Sequence, residues 1–74
     1  MHRYIVSFWS PRGDYTGPDI VAPSPGAAVN KAWPKVPKKY REGMVRGFVT
    51  DLDSDDMDDP FQFEWVRSRW KEIQ

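Results

Sequence analysis

The sequence predicts a small α+β domain in which a three-stranded antiparallel sheet carries two helices on one face, in the order β-β-α-β-α. Three observations lead there. Residues 3–9 alternate through Tyr4, Ile5, Val6, Phe8 and Trp9, the composition of a strand. Ser24-Pro25 joins an N-cap residue to a proline at the first helical position. Phe63, Val66, Trp70 and Ile73 recur at i, i+3, i+7 and i+10, a single helical stripe.

The first strand is apolar on both faces, with Tyr4, Val6 and Phe8 on one and Ile5 and Trp9 on the other, so it reads as a central strand. Residues 10–18 hold two prolines, two glycines and Asp14 and read as a loop. Residues 19–22 give a short second strand, antiparallel to the first. The helix begun at Ser24 continues through Ala27, Ala28, Val29, Lys31 and Ala32. Pro34 disfavours helical geometry at Trp33 and stops it. A basic connector, residues 34–43, has room for one helical turn. Residues 44–50 form the third strand, with Gly47 marking a bulge or a close approach. The last segment, residues 60–74, divides the options. As a helix it gains Asp58 and Asp59 at its positive end and Arg67, Arg69 and Lys71 near its negative end. As a strand it would give β-β-α-β-β with one helix. The helical stripe decides for helix, which leaves Phe61 and Trp65 off the stripe and exposed.

Seventy-four residues with no repeat or long linker make one domain, residues 1–74. A chain this short buries only about 60% of its unfolded surface, so its core is marginal. Without cysteine it has no disulfide, thiolate metal site or cysteine nucleophile. Eleven aromatic residues supply the packing instead. The apolar run at residues 4–6 is too short for a membrane span or a signal-peptide core, and a cytoplasmic protein is expected.

Net charge is zero, yet the charges are segregated. Six of the nine residues 51–59 are aspartates: Asp51, Asp53, Asp55, Asp56, Asp58 and Asp59. Residues 31–46 carry Lys31, Lys35, Lys38, Lys39, Arg41 and Arg46 against Glu42 alone. Enzyme chemistry is set aside: the one histidine, His2, is next to the terminus, and no nucleophile elbow, phosphate loop or zinc-protease motif is present. The spacing of Asp51, Asp53 and Asp55, with Met57 and Asp59, imitates a calcium loop. It fails where Asp56 replaces the turn glycine and Gln62 the bidentate glutamate. No metal or cofactor is expected.

The leading expectation is a non-enzymatic protein-binding domain. Asp51, Asp53, Asp55, Asp56, Asp58 and Asp59 would face a basic surface on a larger protein, with Phe61 and Trp65 as apolar anchors. Closely spaced carboxylates imitate a phosphate backbone, whose charges lie roughly 3.4 Å apart along a strand. Against a nucleic-acid-handling complex the result would be inhibition by mimicry, as in a phage-type inhibitor such as an anti-CRISPR protein. The alternative is a nucleic-acid-binding accessory protein using Lys35, Lys38, Lys39, Arg41 and Arg46, with Trp33 and Tyr40 stacking on bases. A third option is a homo-oligomer in which the basic segment of one copy meets the acidic run of the next.

Overall fold

The computed structural model of the chain describes residues 1–54 and 60–73. Within them, β1 (His2–Ser10), β2 (Gly13–Thr16), β3 (Ile20–Ala22), β4 (Arg46–Asp51), β5 (Phe61–Val66) and β6 (Arg69–Glu72) form one antiparallel sheet. The order is β2-β1-β4-β5-β6, and β3 shares with β2 the edge of β1 that faces away from β4. Helix α1 (Pro25–Ala32), a 3-10 turn at Trp33–Lys35 and the single-turn α2 (Lys38–Arg41) link β3 to β4.

This corrects the expected three-stranded sheet with two helices: the sheet has six strands and α1 is its one substantial helix. The one-helix alternative is nearer, but it too undercounts the strands. The error lies mainly in residues 61–72, which form the β5–β6 hairpin. Phe61, Phe63 and Trp65 alternate along β5, and Trp65 lies opposite Trp70 across the hairpin. Their apparent helical stripe was the two arms of a hairpin read as one line. With no helix there, the capping expected of Asp58 and Asp59 has nothing to cap, and both lie outside the described residues. The other omission is β2, four residues between Pro11 and Pro18 that pair from Ser10↔Gly13 to Ser7↔Thr16.

The start of α1 follows the expected chemistry: Ser24 has extended backbone and its Oγ accepts from Ala27 N at 3.2 Å. Ala28, Val29 and Ala32 are its buried residues. They meet Tyr4, Val6 and Phe8 of β1, Val49 of β4, Phe63 of β5 and Trp70 of β6 in one core. Gly47 lies under the helix, where an added Cβ would meet Phe8, Trp70 and Val29, each at 3.5 Å. The expected close approach at this glycine is therefore real. Behind it Phe8, Trp33, Trp65 and Trp70 form an aromatic cluster with ring centroids 4.9–5.2 Å apart. Such pairs add roughly 0.5–1.5 kcal/mol each to the area they bury.

Two substitutions test this packing. Gly47→Ala puts a methyl group in ordinary van der Waals contact and is expected to be tolerated, whereas Gly47→Leu overfills the site and costs roughly 1–3 kcal/mol. The urea midpoint of each variant checks both. The β5–β6 turn gives the second case. Arg67 (φ 51°) and Ser68 (φ 67°) both hold left-handed backbone, as a two-residue hairpin turn demands. Each pays part of the roughly 1–2 kcal/mol an L-residue costs there. Arg67→Asn combined with Ser68→Gly is expected to raise stability by about 1 kcal/mol in thermal unfolding.

Candidate functional site

Alternation along the strands gives the sheet two unlike faces. The even residues of β1 and the odd residues of β4 and β5 turn towards α1 and the core. The opposite parity turns away from α1. That open face carries Ile5 and Trp9 from β1, Arg46 and Phe48 from β4, and Glu64 and Val66 from β5. Ile5, Phe48 and Val66 are half-buried and Trp9 is 44% exposed. Two cross-strand rungs order its centre. In one, Phe48 lies between Ser7 and Gln62, and Ser7 Oγ and Thr16 Oγ1 are hydrogen-bonded at 2.9 Å. In the other, Trp9 lies opposite Arg46, followed by Glu64 and Lys71.

Strand direction sorts the charges by sheet end, with Asp51, an odd residue of β4, on the packed side. Arg12, Arg46, Arg67 and Arg69 gather at the end where β1 turns into β2 and β5 into β6. The far end, where β4 runs out, holds the start of the aspartate run. Asp51 and Asp53 are bound there to the beginning of β1. His2 Nδ1 lies 2.7 Å from Asp51 Oδ2. Asp53 accepts from Arg3 N at 2.8 Å and from the Arg3 guanidinium at 3.3 and 3.4 Å. Asp51 Oδ1 also accepts from Asp53 N at 2.9 Å. These bonds hold both carboxyls below the usual aspartate range: the His2 contact is the main cause for Asp51, and the Arg3 backbone N–H for Asp53. Tyr4, behind them, is pushed the other way, first by burial and then by the two negative charges.

The residues expected to form the acidic docking surface thus divide. Asp51 and Asp53 share the sheet end but spend much of their hydrogen-bonding capacity on His2 and Arg3. That also occupies the oxygens a calcium ion would need, and no group of three or more candidate metal ligands occurs among the described residues. Asp55, Asp56, Asp58 and Asp59 lie outside the described residues. Phe61, first in β5 and opposite Val49, is 40% exposed at the same end. Trp65 is half-buried and packed against Trp33 and Trp70, because strand geometry turns it to the core side.

The alternative set is dispersed as well. Trp33 lies within the aromatic cluster, and the Arg41 guanidinium stands over its ring at 5.8 Å. Arg41 is itself committed, donating to Val36 O and Pro34 O at 2.9 and 2.7 Å. Tyr40 is exposed, with Tyr15 at 5.6 Å on one side and Lys39 5.1 Å from its ring. Lys35 and Lys38 are exposed along the connector, while Arg46 is on the open face, away from Trp33. These groups do not form one stacking platform. The open-face residues Ile5, Trp9, Phe48 and Val66 were not expected as a site. The available signal was the apolar second face of β1, which reads as the mark of a central strand.

No protein-family model, curated protein or solved structure matches this chain. Among the described residues no helix is long and apolar enough to cross a membrane.

The sheet end makes a pH prediction. Asp51 and Asp53 have folded-state pKa values below the ordinary 3.8, so their contribution is present above that value and is lost as pH falls through the lowered values. The destabilisation caused by Asp51→Asn plus Asp53→Asn is therefore expected to be greatest above pH 4 and to shrink below it. Urea midpoints from pH 2.5 to 6 measure this, and a constant difference across the range would disprove the coupling.

Proposed function

We propose that this chain is a non-enzymatic protein-binding domain that docks through the open face of its sheet, with its acidic end turned to a basic surface of the partner. The supporting observation is that one face of the sheet carries the packed core while the other leaves Trp9 exposed and Ile5, Phe48 and Val66 half-buried. An apolar centre containing an aromatic and an arginine, with a charged rim, is the composition of a protein interface. The acidic end contributes orientation and association rate more than affinity. Where the partner handles nucleic acid, the same contact would inhibit by charge mimicry.

Nucleic acid is the second class considered, and the face supports it less well. Trp9 and Arg46 can stack and pair with phosphate, but Asp14 and Glu64 flank them in the same rung and repel a phosphate backbone.

A pull-down from the native host with wild type, Phe48→Glu, and the Asp51→Asn, Asp53→Asn pair is the test. Phe48→Glu is expected to weaken capture of the partner at least ~30-fold, the loss of a central hot spot. The aspartate pair should lower it less and mainly at low salt. Identical capture by all three proteins would refute the proposal, and steeply salt-dependent binding to generic oligonucleotides would replace it with the nucleic-acid reading.

A further inference from the structure

We infer that the free edge of β6 takes an extended strand from a partner protein, added antiparallel to the sheet and carrying acidic residues opposite Arg69 and Lys71. This surface is the edge of the sheet, distinct from its open face, so the inference does not depend on the reading above. One side of β6 pairs with β5, and no strand among the described residues pairs with the other. Ile73 N donates to Gln62 O at 2.8 Å, which makes the odd residues of this strand the ones bonded to β5. The N–H and C=O groups of Trp70 and Glu72 therefore point outwards, as a ladder for a neighbouring strand. The opposite edge of the sheet is less available. It is divided between β2 and β3, and Val21 O of β3 already accepts from Lys31 Nζ at 2.9 Å.

Side chains define what the neighbour carries. One rung crosses the whole sheet through Asp14, Trp9, Arg46, Glu64 and Lys71. From Arg46 onwards its charges alternate in sign, and Lys71 ends the series at the edge. An acidic residue set beside Lys71 continues that alternation, because opposite charges facing one another across strands attract. Arg69 faces Val66, so it meets no acid across the hairpin. Neither Arg69 nor Lys71 is in an ion pair among the described residues. Between them Trp70 is buried on the core side, which suits an apolar residue beside it, and Glu72 on that same side suits a basic one. An antiparallel neighbour then reads Lys-Glu-Val-Glu, facing Glu72, Lys71, Trp70 and Arg69 in turn. A shallow hollow of about 450 Å³, lined by Glu64, Lys71, Glu72 and Ile73, gives the incoming chain room.

The same charges exclude β6 of a second copy. Antiparallel self-pairing through the outward backbone groups opposes like charges in each central register. Trp70 against Trp70 sets Arg69 opposite Lys71. Trp70 against Glu72 sets Lys71 opposite Lys71, and Glu72 against Glu72 opposes two carboxylates directly. Basic side chains on a short edge strand thus block self-association and leave a strand of complementary charge free to add.

Nuclear magnetic resonance titration of the nitrogen-15-labelled full chain tests this with two short peptides, one centred on Lys-Glu-Val-Glu and a control centred on Lys-Gln-Val-Gln. At millimolar concentration the first is expected to shift the Trp70 and Glu72 amide signals and to slow their hydrogen exchange. The control should bind at least ~5-fold more weakly. Lys71→Glu is expected to weaken the acidic peptide by a similar factor, and a peptide centred on Lys-Lys-Val-Glu to recover the loss. Arg69→Gln, a milder change, should weaken it less, with the dispersion of the amide spectrum confirming that both variants fold. No response at the Trp70 and Glu72 amides overturns the inference. Equal binding of the acidic and control peptides does so too, as does a Lys71→Glu variant that binds the acidic peptide as tightly as wild type.

Discussion

Helix α1 resting on Gly47 is the contact on which the rest of this structure depends. Eight residues of helix span about 12 Å, against about 20 Å for five strands side by side. So short a helix can close one face of the sheet and no more. It does so because Gly47 lets Val29, Phe8 and Trp70 converge at the centre of β4, and the aromatic cluster extends the cover to β5 and β6. The uncovered face follows directly. Among the described residues α1 has no second helix of comparable length beside it, and the connector is committed to the first side through Arg41, Pro34 and Val36.

The ends of the sheet are governed by a different force. Strand β1 begins with His2 and Arg3, and β4 finishes with Asp51 beside them, so the start of the aspartate run is tied to the start of the chain. These are exposed contacts of modest strength, and they set the place of the acidic segment more than the stability of the fold. At the other end the two hairpin turns and the entry to β4 bring Arg12, Arg67 and Arg46 together. The start of the aspartate run and these arginines thus lie at opposite ends of the strands.

Much was legible from local chemistry. Ser24-Pro25 fixed the start of α1, because capping acts within a few residues. The steric stop expected at Trp33 is absent: Trp33 keeps helical backbone (φ −55°, ψ −48°) and the chain continues through Pro34 as a 3-10 turn. The pairing of residues 20–22 with β1, the central place of β1 and the close approach at Gly47 were likewise readable. The final segment was not, because Phe63, Val66, Trp70 and Ile73 satisfy the helical period by coincidence. Only pairing with β4, and Trp65 meeting Trp70 across the turn, distinguishes a hairpin from a helix there. The candidate site suffered from the same error, since Trp65 moved from the expected surface to the core side, where it packs on Trp33.

By itself the sequence determined the elements that depend on neighbouring residues, and it determined that acidic and basic groups are segregated. Tertiary structure alone decided which apolar residues are covered. Ile5 and Phe48 are as hydrophobic as Val6 and Val49, and nothing in their composition separates them. The difference arises because one short helix lies on one side of the sheet, and the side it chooses is set by packing between residues distant in the chain.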